Sequence, residues 1–451
     1  MSSFRSDVLG LYISIPFCRS KCTYCNFASG VHPASVHALY VERLIGELAA
    51  ARAWAERMNV ELPRRVDTVY LGGGTPSLLA PELLSRLFAA VRAEFDLEPD
   101  AEITVECAPG QLANESLNAL VTAGVNRVSL GVQSFIDNEV KSCGRLHNRA
   151  VALADIERLR AAGIQNLNVD LIAGLPGQGF ASWNESLAVL AAAGLPHASV
   201  YMLEVDEDSR LGREVLGGGA RYHAELVPTD DAIAQMYSVA IERLQQAGLE
   251  QYEISNFCRP GMESRHNLRY WQRSPYLGLG LDASSMLREA PPAQASIKLH
   301  ALKGTGFSPY INPAKTKRAL APEGGPSGKP GSIRSSSEPE GRVLRSTTTD
   351  DLKAYLASAP LVEESWLSPA RQHEEAWFLG LRLNAGVNVA AVEDEFGQAT
   401  VAPALKAAER LAGAGLLAFD GQTARLTPRG QLLSNDVFQE FLDLNSEVPE
   451  A

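Results

Sequence analysis

The sequence predicts an α/β protein: a partial (β/α)6 barrel followed by a smaller C-terminal α/winged-helix-like domain. Three observations point there. Between Leu11 and about Gly248, short β-rich runs alternate six times with helical runs. The chemically unusual residues fall at the C-terminal ends of those runs, where α/β barrels build their sites. Past residue 288 the alternation stops, and a Pro-, Gly- and Ser-rich stretch leads into a helical C-terminal part.

The expected strands are 11–16, 66–72, 102–107, 127–134, 166–172 and 197–205. Helical patterns lie between them and after the last. Over 81–95, Leu84, Leu87, Phe88, Val91 and Phe95 recur at steps of three and four and form one apolar face. The last helix of the series starts at Thr229, a capping residue, and stops at Gly248. Successive βα units require a parallel sheet, because each crossover helix returns the chain to the same end. Six units are too few for a closed eight-unit barrel, so an open barrel or a doubly wound sheet fits the alternation. The cysteine-rich loop follows the first strand, and Gly72-Gly73-Gly74-Thr75-Pro76 the second; Glu106, Gln133 and Asp170 end the next three. Features at five strand ends favour a barrel-like cup, since a doubly wound sheet concentrates them at one crevice.

Residues 1–250 therefore form the expected barrel, and 251–288 an extension of it. Residues 289–342, with Ala321-Pro-Glu-Gly-Gly-Pro-Ser-Gly-Lys-Pro330, read as a mobile insert. Residues 343–451 form the expected C-terminal domain, with helical pattern from His373 and over 401–416. There a turn at Asp420-Gly421 separates Leu416–Phe419 from Thr423–Leu426.

The composition is that of an ordinary globular chain: 451 residues, 45% hydrophobic, 21% charged. A net charge of -12 argues against nucleic acid as a partner, because binding it takes clustered positive charge. No apolar stretch approaches the roughly 20 residues that span a bilayer, and no secretory leader is visible. The expected location is the cytoplasm, with peripheral membrane contact left open.

Cys18, Cys22 and Cys25 crowd one loop, whereas Cys107, Cys143 and Cys258 stand singly and read as buried small hydrophobes. In a reducing compartment such a cluster points to metal or redox chemistry. Thiolates suit zinc, copper(I) or iron–sulfur clusters. Structural zinc takes four protein ligands, and no second cysteine pair is present, though His32 could complete such a site. Three thiolates on a cubane leave one iron open for a small molecule. Asp170 lies among Val169, Leu171 and Ile172, where a carboxylate needs a partner, and Arg145 is a candidate.

The spacing C-x3-C-x2-C resembles that of the radical-SAM superfamily. Tyr12-Ile-Ser-Ile-Pro-Phe-Cys18, Leu71-Gly-Gly-Gly-Thr-Pro-Ser77, Gly131-Val-Gln-Ser-Phe135, Gly144-Arg-Leu-His147 and Asp170-Leu-Ile-Ala-Gly-Leu-Pro176 resemble the oxygen-independent coproporphyrinogen oxidase family. The resemblance runs from about Leu11 to Leu287 and, more weakly, through the C-terminal helices. It implies a [4Fe–4S] cluster on Cys18, Cys22 and Cys25, whose fourth iron chelates S-adenosylmethionine (SAM). In such proteins, reduction then cleaves the sulfonium to a 5′-deoxyadenosyl radical. Tyr12, Tyr24, Gly73, Gly74, Thr75, Glu106, Gln133, Arg145 and Asp170 are the residues it implies for SAM.

Two features separate the branches of this family. The decarboxylating oxidases resemble C-x3-C-x2-C-x-C, and Phe27 stands here at the position of the additional thiol. The chain also begins almost at its first strand. Both resemble the haem-chaperone (HemW) group. Arg265-His-Asn-Leu-Arg-Tyr-Trp271 is similar to the H-N-x-x-Y-W motif linked there to haem, with His266 as axial ligand and Tyr270 and Trp271 as flat apolar faces. After Tyr276-Leu-Gly-Leu-Gly280 the family continues with Gly-Ala-His, whereas this chain has Leu281-Asp-Ala-Ser-Ser285.

The resemblance implies a haem chaperone that binds the cluster, SAM and haem, passes haem to an acceptor protein, and takes electrons from a donor if the cluster is reduced. Coproporphyrinogen III oxidation is the alternative reading, and Phe27 argues against it. A radical-SAM enzyme acting on an unrelated substrate is the third.

Overall fold

The structure is a computed structural model that describes residues 7–291, 341–357, 362–442 and 444. The expected mobile insert lies outside the described residues over 292–340.

Six strands form the cup: β1 (Leu9–Ile15), β2 (Arg65–Gly73), β3 (Asp96–Cys107), β4 (Arg127–Gln133), β5 (Asn166–Ala173) and β6 (His197–Met202). They lie side by side in chain order and every pair is parallel. That order is a barrel's, since a doubly wound sheet reverses at a switch point. Their near-continuous Val, Leu and Ile reflect burial on both faces. β6 stops at Met202, short of the expected 205, so residues 203–205 belong to the cup's mouth.

β1 and β6 do not meet. Past β6 run β7 (Glu250–Glu253) and β8 (Asn256–Cys258), with β8 antiparallel to β6. Past β1 runs β9 (Tyr276–Leu279), parallel to it, and then β10 (Ser284–Arg288), β11 (Val343–Thr348) and β12 (Val362–Leu367), all antiparallel. The divergent run after Gly280 is the turn that folds β10 back, with Asp282 at φ 54°. β11 and β12 thus belong to the barrel's sheet and not to the C-terminal domain in which the sequence places them. The physical reason is edge pairing: β10 would otherwise expose an unpaired ladder.

Helices cover the outside of the sheet. Pro81–Glu94 buries Leu84, Leu87, Phe88 and Val91, the stripe its periodicity predicts. Asp230–Gln246 is capped by Thr229, whose hydroxyl accepts from the Ala232 amide at 3.4 Å, and Gly248 follows at φ 78°. Among the described residues, no helix is long and apolar enough to cross a membrane.

The C-terminal unit packs helices Pro369–Gly380, Val389–Phe396 and Gln398–Gly413 against a sheet of β13 (Val387–Asn388), β14 (Leu417–Phe419) and β15 (Thr423–Leu426). This is a winged-helix arrangement. Its core is its own, centred on Trp377 stacked on Phe441 at 4.9 Å. It is fastened to the cup by Ile254 N–H to Arg382 O (3.1 Å), Asn384 N–H to Tyr252 O (3.0 Å) and an ion pair between Arg273 and Glu395.

Candidate functional site

The cysteine loop leaves β1 at Ile15 and is pinned from three sides. The Gly74 amide donates to Ile15 O at 2.9 Å and the Thr75 amide to Phe17 O at 2.7 Å. A Cβ on Gly74 would sit 2.7 Å from Phe17 O and 2.8 Å from Ile15 O, so only glycine lets the two loops close. Thr23 N–H donates to Cys143 O at 3.1 Å, and Leu211 N–H to Thr23 O at 2.8 Å. Cys18, Cys22 and Cys25 line a cavity of about 770 Å³ at the C-terminal ends of the strands. Burial pushes the Cys18 and Cys25 thiols up, so their deprotonation is coupled to whatever cation they hold. Cys107, Cys143 and Cys258 are free and buried.

Opposite the cysteines stands a carboxylate wall. Glu106 accepts from the Tyr70 hydroxyl at 2.8 Å, and burial pushes its carboxyl up to about 7. Asp170 is raised by burial too, but accepts from Asn168 at 2.7 Å and Ser129 at 3.2 Å, bonds that favour the ionised form. Arg145 donates from Nε to the Tyr24 hydroxyl at 3.2 Å. A Cβ on Gly131 would lie 3.0 Å from both Arg145 Nη2 and Gln133 Nε2, so this glycine clears room for both side chains. A bulge between Gly131 and Gln133 turns Gln133 into the cavity, at φ 70°.

The sequence singles out Tyr24, Gly73, Gly74, Thr75, Glu106, Gln133, Arg145 and Asp170, and all eight line this cavity with the three cysteines. Tyr12 lies behind Tyr70, their rings stacked at 6.1 Å. Residues that the sequence reading passes over also line it: Tyr70, Ser129, Tyr201, Arg382 and the stretch 432–436. Strand alternation would have found Tyr70 and Ser129, since Tyr70 precedes Gly72 by two and Ser129 precedes Gly131 by two. No local signal marks the last two, which arrive from the C-terminal unit.

A [4Fe–4S] cluster with SAM fits these residues. Three thiols face one cavity whose lining offers carboxylates to an ammonium and a ribose and, beside the cysteine loop, the Arg145 guanidinium to a carboxylate. Among the described residues no three His, Cys, Asp or Glu converge on a single ion, and a cubane asks for no such convergence, because each thiolate takes its own iron. His32 packs edge-on against Phe17, with ring centroids 5.8 Å apart.

The H-N-x-x-Y-W residues lie elsewhere. Helix Arg265–Trp271 closes the opposite end of the barrel, where the strands begin. Glu102 caps it by accepting from the Arg265 and His266 amides, each at 3.1 Å. His266 is 1% exposed: Nδ1 meets Thr68 Oγ1 and Nε2 meets the Tyr270 hydroxyl, both at 2.9 Å. Burial drives its pKa down to about 3, so the ring is neutral. Arg269 reaches Asp67 and Thr68, and Trp271 lies under the Arg382 guanidinium at 4.3 Å. In this structure the motif builds the barrel floor, and His266 offers iron no free nitrogen.

The Radical SAM superfamily profile matches residues 12–190, and the HemN C-terminal domain profile matches residues 367–433. Heme chaperone HemW of Lactococcus lactis is 32% identical over 439 residues, covering 96% of this chain and 98% of that protein. Heme chaperone HemW of Escherichia coli is 37% identical over 279 residues, 61% of this chain and 69% of that protein. Among solved structures, Escherichia coli coproporphyrinogen III oxidase (HemN) superposes with a TM-score of 0.72 at 21% identity, covering 97% of this chain and 91% of that one. That likeness fixes the fold alone: cup, floor and C-terminal unit. With identity of 32% running nearly end to end and the superfamily profile lying over the three cysteines, this chain belongs to the HemW family of the Radical SAM superfamily.

Proposed function

We propose that this chain is a haem chaperone that carries a [4Fe–4S] cluster on Cys18, Cys22 and Cys25, binds SAM at the open iron, and delivers haem to an acceptor protein. The observation that carries this reading is the end-to-end similarity to a protein named as a heme chaperone. Phe27 supports it. The resembling oxidases have a thiol there, whereas this ring can neither ligate nor carry a proton, and it stands 59% exposed at the cavity mouth.

The bound cluster and SAM supply one-electron chemistry when a reductant is present. The chain's own residues do the rest. With the cosubstrate bound, Glu106 and Asp170 would accept hydrogen bonds from its ammonium and ribose hydroxyls, Arg145 would balance its carboxylate, and Gln133 would offer an amide. Stacked Tyr12 and Tyr70 separate this chamber from the floor. His266, Tyr270 and Trp271 hold that floor, so haem ligation by His266 requires one of its ring nitrogens to give up its hydroxyl partner.

Anaerobic reconstitution followed by haem titration tests the reading. The expected result is a Soret band saturating near one haem per chain. With coproporphyrinogen III, SAM and reductant, no carbon dioxide and no protoporphyrinogen are expected. Decarboxylation without haem uptake would reverse the assignment.

A further inference from the structure

Three segments meet beside the cysteines, and each presents one large apolar side chain to solvent. Phe27 on the cysteine loop and Leu146 on the Gly144–His147 loop are both 59% exposed, and Val205 on the segment after β6 is 37% exposed. The segments are fastened to one another. Ser20 Oγ donates to Gly144 O at 3.2 Å and Thr23 N–H to Cys143 O, joining the first two. Asn26 donates to the Asp206 carboxylate and Leu211 N–H to Thr23 O, joining the third. Phe27 and Leu146 line the mouth of the cavity, as do Glu204 and Asp206 on either side of Val205. Single exposed apolar residues are ordinary, but three on loops cross-linked by hydrogen bonds around one cavity mouth offer a surface to an apolar partner.

The cavity limits where that partner can lie. About 770 Å³ is in the range of a site for one drug-sized ligand, and the cluster with SAM claims the part beside the cysteines, which leaves a porphyrin the opening. The same loop carries two cations that suit a ligand bearing carboxylates on an apolar disc: Arg19, exposed, and Lys21, half-buried, which lines the cavity and donates to Phe27 O at 2.9 Å. Two carboxylates flank Val205: Asp206 already accepts from Asn26 and from the Asp208 amide at 2.8 Å, and Glu204 is exposed to solvent.

We propose that haem seats on the platform of Phe27, Leu146 and Val205 at the cavity mouth, with its propionates toward Arg19 and Lys21, and not on His266 at the floor. The inference rests on the haem-chaperone reading above. It gives Phe27 a role of its own: the ring at the position of the oxidases' thiol is a contact surface for cargo. It also sets the cargo against the cluster loop, so that the loop's state is felt by the haem.

Full-length protein, reconstituted anaerobically, is titrated with haem in four forms: wild type, Phe27→Asp/Leu146→Asp, Phe27→Leu/Leu146→Met and His266→Ala. Iron, sulfide and SAM binding are measured on each sample. The platform predicts that the aspartate pair raises the haem Kd by about tenfold or more, the loss of about 1.4 kcal/mol that one interface anchor commonly carries. The apolar pair and His266→Ala keep wild-type affinity. Val205→Asp, off the cysteine loop, is expected to weaken haem in the same direction and carries the test if the aspartate pair fails to load iron. Wild-type titration by both aspartate-bearing proteins would overturn the platform, as would loss of haem in a His266→Ala protein that loads iron fully and is folded at the titration temperature. No haem uptake by the wild type would instead bring down the chaperone reading itself, and the platform with it.

Discussion

Glu106 on β3 and Asp170 on β5 stand on one wall with β4 between them, and burial raises both carboxyls. Asp170 collects hydrogen bonds from Asn168 and Ser129 that reward the charge. Glu106 has two neutral donors, the Tyr70 hydroxyl and the Gly73 amide, and burial with the nearby Asp170 charge outweighs them. A carboxyl whose pKa is raised to about 7 favours the fold in its protonated form. That contribution is complete below the ordinary glutamate range and fades as pH rises through 7. Glu106→Gln removes the titration. The unliganded variant is therefore expected to be more stable than wild type at pH 8, by up to roughly 3 kcal/mol, with the gap narrowing by pH 5. Urea denaturation at the two pH values measures it, and a gap that does not change with pH would refute the assignment. His266 behaves in the opposite way. It is neutral and locked, and His266→Ala leaves the Thr68 and Tyr270 hydroxyls unpaired, at a cost of about 1–3 kcal/mol. Thermal unfolding shows the loss.

At the scale of elements, the cysteine loop depends on a neighbour that shares none of its sequence. Closure of the 72–76 turn onto β1 is what holds Cys18 beside Thr75, with Sγ and Oγ1 4.0 Å apart. Gly74→Val places its Cβ less than 3 Å from two carbonyl oxygens, those of Ile15 and Phe17. The expected outcome is a folded chain with its circular dichroism retained, reduced iron and sulfide after reconstitution, and weaker SAM binding. Full loading would show that the loop closes without this contact. The helix Arg265–Trp271 is a second case: seven residues too short to be stable alone are held by Glu102 at one end and by Arg269 on Asp67 inside the barrel.

For the whole molecule, the cavity is a joint product of the cup and the C-terminal unit. Arg382 and residues 432–436 complete its wall, and Arg273 ties the two bodies by a half-buried bidentate pair with Glu395. Arg273→Met leaves Glu395 unpaired, at a cost of about 3 kcal/mol at most. Hydrogen exchange is expected to quicken over 387–441 while β1 to β6 stay protected. Equal protection in both regions would mean that the pair is dispensable for docking. The -12 charge, read as an argument against nucleic acid, is a property of this same scale and says nothing about the local cations Arg19 and Lys21.

What the residues determined alone is whatever depends on short range. Six βα units and their parallel order follow from periodicity, because crossover helices leave the chain no other way to pair its strands. The cysteine triad, the glycine turn and the strand-end Glu106, Gln133 and Asp170 follow from spacing, because a site on a barrel rim is built where strands stop. What only the tertiary structure decided depends on which segments meet. β11 and β12 joined the barrel because an open ladder needs pairing, although they lie far along the chain. The motif that reads as a haem ligand became a floor because its imidazole found two hydroxyls, one of them on a strand remote in sequence. Phe27, Leu146 and Val205 became one surface because hydrogen bonds bring three loops together, a long-range fact that no window of sequence contains.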